Sequence, residues 1–269
     1  MKKPVGIFDS GIGGLSVLKA LRAELPGEDF IYIADSGHAP YGERDDAHVI
    51  SRSQGITRWL LAQDIQALVI ACNTATAAAI HLLRAKHPVL PIIGVEPALK
   101  PAVPLSSTRR IGVMATRGTL ASSKFRALLA SQAGQADFVL QGCDGLADAI
   151  ERSAASGDDA QVLAACKRHI EAMGRFGDQP DEIDTLVLGC THYPFAEAQL
   201  RQLLGPQVQI ISNGEAIARQ TRRQLTTLAE AEHVSGSIRL LTTGDASALG
   251  AAAHRWLGLP AYDAALVNL

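Results

Sequence analysis

The chain has 269 residues, 47% hydrophobic and 19% charged, with a formal net charge of −2. That supplies a full core, and at roughly 150 residues per domain it favours one large domain or two modest ones. Near-neutrality leaves no electrostatic footprint for nucleic acid, and no apolar run reaches the roughly 20 residues that span a bilayer, so neither nucleic acid nor a membrane is an expected partner.

Met1-Lys2-Lys3 leads directly into a strand-like run with no signal-peptide core, and four cysteines in a chain of this length do not make a disulfide framework. The expectation is a cytoplasmic protein with reduced thiols. Val5–Phe8 reads as a strand, followed by a Gly-rich turn and a helical pattern over Leu15–Leu25. Phe30–Ala34 is the second strand, Ile50–Leu61 a helix, Ala67–Ala71 the third strand, Thr74–Ala85 a helix and Ile92–Val95 the fourth strand. Short, continuously apolar strands alternating with helices indicate a parallel sheet covered on both faces.

Prolines 97, 101 and 104 interrupt the alternation across Glu96–Ser107, which reads as a crossover between domains. The rhythm then restarts. Ile111–Ala115, Phe138–Leu140, Thr185–Leu188, Val208–Ile211 and Ile238–Thr242 read as strands. Leu120–Ser131, Leu146–Ala154, Gln161–Phe176, Ala196–Leu204, Glu215–Ala229 and Ser247–Trp256 read as helices. The fold class expected is α/β, with two similar domains of mostly parallel sheets flanked by helices.

Two segments nearly copy each other: Leu68-Val69-Ile70-Ala71-Cys72 and Leu186-Val187-Leu188-Gly189-Cys190. Each apolar run ends in a cysteine and continues into polar residues, Asn73-Thr74 and Thr191-His192. Ligands of open α/β sheets bind beyond the carboxyl ends of the strands. The polar motifs all fall at such ends: Asp9-Ser10-Gly11-Ile12-Gly13-Gly14, then Asp35 through Pro40-Tyr41-Gly42, then the two cysteine segments. If the two halves face each other, these loops share an interdomain cleft, where the active site is expected.

Gly11 and Gly13 after a strand, with Asp35 ending the next, imitate a dinucleotide-binding fingerprint. Ser16 stands where the third glycine belongs, and the Asp9 carboxylate would repel a pyrophosphate. The glycines better suit a small anion such as a carboxylate at a helix N-terminus. Cys143 and Cys166 read as buried core thiols. Cys72 and Cys190 sit at strand ends near helix N-termini, where a thiol pKa falls below its usual value of about 8.5. A redox pair lacks its C-x-x-C spacing, and Cys72, Cys190, His192 and Asp9 do not have the tight spacing of a zinc site, so no metal is expected. Paired proton transfer at a stereocentre explains the duplication: one thiolate removes a proton and the opposite thiol returns one on the other face. Structural alternatives stand beside these roles, with Asp9 capping its turn, His192 hydrogen-bonded in the core and Tyr41 anchoring a turn.

The set Asp9-Ser10-Gly11-Ile12-Gly13-Gly14, Pro40-Tyr41-Gly42, Ala71-Cys72-Asn73-Thr74-Ala75 and Gly189-Cys190-Thr191-His192-Tyr193-Pro194 closely resembles the glutamate racemases, in order and spacing along essentially the whole chain. The resemblance implies cofactor-independent interconversion of L- and D-glutamate, supplying D-glutamate for bacterial peptidoglycan, by a protein that is commonly a homodimer. It implies a first domain built from residues 1–97 and 212–269 around a second domain, 98–211. Carried over by position, Cys72 and Cys190 match the acid/base thiols, with Cys72 serving D-glutamate and Cys190 L-glutamate. Asp9 assists the first, His192 the second, and Glu151 matches a glutamate near the cleft. Asp9, Ser10, Tyr41, Gly42, Asn73, Thr74, Thr191 and His192 match substrate-holding positions. The sequence departs from the family's pattern at Ile211-Ser212-Asn213-Gly214-Glu215 and at Asp144, and by analogy with relatives that answer a cell-wall precursor through an N-terminal extension, that mode of control is not expected. Racemisation of aspartate or another amino acid, and a partner-binding role against gyrase, remain as alternatives.

Overall fold

The computed structural model describes residues 3–225, 236–259 and 264–269. The chain divides into two compact units, residues 1–95 with 214–269, and residues 96–213.

The first unit carries a six-stranded sheet in the order β10-β9-β2-β1-β3-β4, with every neighbouring pair parallel. Its strands are β1 (Val5–Asp9), β2 (Phe30–Ala34), β3 (Ala67–Ile70), β4 (Ile92–Gly94), β9 (Ile238–Thr242) and β10 (Ala265–Leu266). The three central strands are buried at every residue, because helices cover both faces of a parallel sheet. These helices are α1 (Leu15–Glu24), α2 (Asp46–Leu61), α3 (Asn73–Lys86), α10 (Gly214–Gln224) and α11 (Ala246–Leu257). The strand β10 lacks an apolar run long enough to be read from the sequence. The last part of the helix expected over Glu215–Ala229 lies outside the described residues, as do Met1 and Lys2.

The second unit carries a four-stranded parallel sheet, β6-β5-β7-β8. Its strands are β5 (Arg110–Ala115), β6 (Asp137–Gly142), β7 (Thr185–Gly189) and β8 (Gln209–Ile211). The helices are α4 (Leu99–Ala102), α5 (Arg117–Ala121), α6 (Ser123–Ala130), α7 (Leu146–Ser156), α8 (Ala160–Met173) and α9 (Glu197–Leu204). The proline-rich crossover thus contains the short α4 and a 3₁₀ turn over Val103–Leu105.

Two expected helices are corrected. The helix read over Leu120–Ser131 is two helices, because Ser122 is extended at ψ 146° and its hydroxyl caps Phe125 N–H at 3.1 Å. A serine that bonds the next turn's backbone competes with helix continuation. The helix read as far as Phe176 stops at Met173, because Gly174 adopts φ +105°, outside helical space. Asp184 ties the entry of this unit to β7: its buried carboxylate accepts from Ser106 Oγ at 2.6 Å, Ser107 N at 2.7 Å and Thr108 N at 2.9 Å. Asn213, at the other end of the unit, donates to the Glu96 carbonyl at 2.8 Å.

Candidate active site: two thiol centres

Each unit presents one thiol centre at the carboxyl end of its sheet. In the first, β1 and β3 are neighbours in parallel register, with Phe8 opposite Ile70. The residues after each strand therefore emerge side by side. Asp9 is fully buried, and its carboxylate accepts from Ser10 N–H at 2.7 Å and Gly14 N–H at 2.5 Å. The turn that starts α1 thus closes on this carboxylate, the capping role weighed for Asp9. Gly14 must be glycine, since a Cβ there would lie 2.7 Å from Asp9 Cβ. Tyr32 Oη fixes the same turn by donating to the Gly11 carbonyl at 2.8 Å.

Cys72 is the N-cap of α3, in extended conformation, and its sulfur accepts from Ala75 N–H at 3.4 Å. Its Sγ lies 3.6 Å from Ser10 Oγ. A backbone donor and the positive end of a helix both favour negative charge on this sulfur. Asn73 follows, buried, with neither polar atom of its side chain bonded within the protein. Buried amides are nearly always satisfied, so this pair of open groups makes Asn73 a candidate contact for a bound molecule. Thr74 is half-buried beside it.

Tyr41 is 1% exposed, and its hydroxyl donates to Asp35 Oδ2 at 2.5 Å. Its phenol is therefore committed to the protein, and what this loop offers outward is the backbone around Tyr41 and the half-buried Gly42. In the sequence Asp35 opens the polar motif after the second strand and imitates the acidic residue of a nucleotide site. It is instead a buried hub, which also takes a two-pronged bond from Arg52, Nε at 2.9 Å and Nη2 at 2.8 Å. Burial works against its charge, but the bonds from Arg52, Tyr41 and Thr243 outweigh it and hold the carboxyl below its usual range.

In the second unit, β7 ends at Gly189 and Cys190 is the next residue. Thr191 and His192 follow, both buried, before a 3₁₀ turn over Tyr193–Ala196. His192 Nδ1 lies 3.6 Å from Cys190 Sγ, and Nε2 lies 2.8 Å from Glu151 Oε1. Glu151 comes from α7, which packs on that 3₁₀ turn. A thiol, an imidazole and a carboxylate therefore stand in line. Burial works against a charged His192, yet hydrogen bonds with Cys190 and Glu151 prevail and hold its pKa well above 6.5. The Cys190–His192 pair can pass a proton, and the carboxylate steadies the imidazolium.

The other two cysteines are buried and free. Burial pushes the Cys143 thiol far up, and it pushes Cys166 up to about 12. Both stay protonated, as core residues. Tyr193 Oη donates to the Cys143 carbonyl at 3.4 Å, fixing the loop below the Cys190 turn. Among the described residues no group of three or more His, Cys, Asp or Glu is arranged to hold a metal ion. No helix among them is long and apolar enough to cross a membrane.

The structure therefore brings Asp9, Ser10, Cys72, Asn73 and Thr74 together at one centre, and Cys190, Thr191, His192 and Glu151 at the other. Sequence reasoning missed Arg52 and Thr243, which bond Asp35. An aspartate six residues before a buried tyrosine in the same loop was the available signal.

Comparison with known proteins places the whole chain in a family. Residues 13–221 match the family described as Asp/Glu/Hydantoin racemase. The glutamate racemase of Ralstonia nicotianae is 46% identical over 258 residues, covering 95% of this chain and 90% of that protein. Among solved structures, Escherichia coli glutamate racemase in complex with L-glutamate and the activator UDP-MurNAc-ala superposes with a TM-score of 0.84 at 30% identity, covering 98% of this chain and 97% of that one. Francisella tularensis glutamate racemase in complex with D-glutamate superposes with a TM-score of 0.81 at 25% identity, covering 99% and 98%. The chain belongs to the Asp/Glu/Hydantoin racemase family, the family of the glutamate racemases.

Proposed function

We propose that this enzyme is an isomerase that interconverts L- and D-glutamate, with Cys72 and Cys190 as paired acid and base at the α-carbon of one substrate molecule. The observation that carries the reading is the Cys190–His192–Glu151 line, with bonds of 3.6 and 2.8 Å, ending on a thiol that the sequence duplicates at Cys72. In one direction a thiolate at Cys190 removes the α-hydrogen of L-glutamate and Cys72 returns a proton on the opposite face. In the other direction the roles exchange. His192 holds or relays the proton at Cys190. Asp9 and Ser10 order the surroundings of Cys72.

The α-hydrogen is a very weak acid, so the developing carbanion must be stabilised as it forms. Donors fixed around the α-carboxylate take up that charge. The buried Asn73 amide, whose polar atoms are open, and the hydroxyls of Ser10, Thr74 and Thr191 have the right chemistry. No step in this scheme draws on a cofactor. The product D-glutamate supplies bacterial peptidoglycan synthesis. The reading also carries a cytoplasmic homodimer. The four free thiols fit a reducing compartment, and the homodimer is what the family resemblance implies. Sedimentation at micromolar concentration checks the dimer.

The test is incubation with L-glutamate, D-glutamate and L-aspartate in deuterated water, followed by circular dichroism and proton NMR. Wild-type protein should racemise and α-deuterate glutamate, and Cys72→Ala and Cys190→Ala should each abolish racemisation. Deuteration of aspartate alone, or full activity in either variant, overturns the reading. Single Cys→Ser variants, assayed for α-hydrogen exchange from each enantiomer, assign Cys72 to D-glutamate and Cys190 to L-glutamate.

A further inference from the structure

Asp35 is fully buried, and its two oxygens make five contacts with four residues. Oδ2 accepts from Tyr41 Oη at 2.5 Å and Arg52 Nε at 2.9 Å. Oδ1 accepts from Arg52 Nη2 at 2.8 Å and Thr243 Oγ1 at 2.8 Å, and His38 Nδ1 lies 3.2 Å away. Arg52 comes from α2, Thr243 follows β9, and a further Arg52 nitrogen reaches the Leu269 carbonyl at 3.4 Å. Three separate stretches of chain therefore converge on one carboxylate.

Stability alone does not call for this. A buried ion pair roughly breaks even against well-packed apolar side chains of the same volume, so its presence asks for another reason. The geometry supplies one at Tyr41. The ring of Tyr41 belongs to the same apolar cluster as Cys72 and Ala75, and its 3₁₀ turn, Tyr41–Glu43, contacts α3, whose N-cap is Cys72. The hydroxyl is held by Asp35. The tyrosine is thus pinned at both ends, and the Tyr41-Gly42 backbone is set at a fixed place beside the Cys72 centre.

We infer that Asp35 and Arg52 are positioning residues, acting through Tyr41 to hold the Tyr41-Gly42 segment ready for substrate. This inference rests on the racemase reading above. Arginine suits the task because its planar fork grips both carboxylate oxygens, which a lysine cannot do. Ordering the loop before binding removes the entropic cost of ordering it during binding, so the effect falls on substrate affinity.

The test compares wild type with Arg52→Lys, Asp35→Asn and Tyr41→Phe, measuring racemisation from each enantiomer and thermal unfolding. Arg52→Lys should raise KM about tenfold for both enantiomers while kcat stays within about threefold, the pattern of lost binding rather than lost chemistry. Adding Arg52→Lys to Tyr41→Phe should cost little beyond Tyr41→Phe alone, because both act through one contact. A purely structural network would lower the melting temperature or the active fraction and leave KM at the wild-type value, and that result overturns the inference. If Asp35→Asn fails to fold, Arg52→Lys and Tyr41→Phe decide the matter. If wild-type protein neither racemises nor, by calorimetry, binds glutamate, the functional reading falls and this inference falls with it. Racemisation by wild type with an unchanged KM in Arg52→Lys removes the inference alone.

Discussion

His192 and Glu151, 41 positions apart in the chain, meet at 2.8 Å between Nε2 and Oε1. The imidazole faces Cys190 with its other nitrogen, so the carboxylate helps fix the orientation of the ring and, together with Cys190, favours its charged form.

Glu151→Gln tests this relationship. The two enantiomers have equal free energy, so any loss must lower kcat/KM equally in both directions. The expected loss is about 10- to 100-fold, the usual contribution of a positioned acid/base partner. Polarimetric assays started from each enantiomer check it, and an unchanged kcat/KM would show that Glu151 is a bystander. The same variant has a pH signature. His192 is held well above 6.5 in the folded state. A group raised in this way contributes stability that is complete below its unfolded value and is lost as pH rises through the folded one. The stability gap between wild type and Glu151→Gln, from urea unfolding, should be largest near about pH 6 and close in alkaline solution.

Asn73 gives the opposite kind of prediction. Its amide is buried with both polar atoms unbonded within the protein, a cost to the fold that a bound substrate would relieve. Asn73→Ala should leave the melting temperature unchanged or raise it, while KM for glutamate rises about tenfold or more. Scanning calorimetry and steady-state kinetics on one preparation test both halves. A marked fall in stability with normal KM would make Asn73 a structural residue.

Gly14 stands where Asp9, Tyr32 and Ala71 crowd the start of α1, at 2.7, 3.0 and 3.1 Å from a Cβ placed there. Gly14→Ala must push the Asp9-held turn aside. The expected cost is about 1–3 kcal/mol of stability, the usual price of overpacking, with a fall in racemisation because Ser10, whose hydroxyl lies 3.6 Å from the Cys72 sulfur, belongs to that turn. Denaturant unfolding and kinetics measure the two effects, and a neutral variant would show that the turn has slack.

Asp184 is the acid-sensitive member of the second unit. Its carboxyl sits at about 2: burial raises it, and the bonds from Ser106, Thr108 and Ser107 more than reverse that. A depressed carboxyl contributes stability above its unfolded value, and that contribution is lost as pH falls through the folded one. Asp184→Asn should therefore destabilise the protein at pH 7 by about 2–4 kcal/mol, with the difference shrinking below about pH 4. Urea titrations at the two pH values separate this from a pH-independent packing defect.

Much of the architecture was legible because its signals are local. The strand Phe30–Ala34 ends where its apolar run ends. The matched segments before Cys72 and Cys190 place both thiols at strand termini, since a buried parallel strand leaves its chemistry to the loop that follows. The break at Ser122 was not legible, because periodicity continues across it and only the capping bond reveals the stop. The stop at Gly174 depends likewise on a backbone angle that an apolar pattern does not record.

From sequence alone came the α/β alternation, the paired thiols and the family to which those motifs belong. All three are written within stretches of about ten residues, where spacing and residue type suffice. Only the tertiary structure showed Glu151 behind His192, Arg52 and Thr243 around Asp35, and the open amide of Asn73. Those relationships join residues far apart in the chain, or depend on a bond not being made, and they exist only once helices and strands have packed.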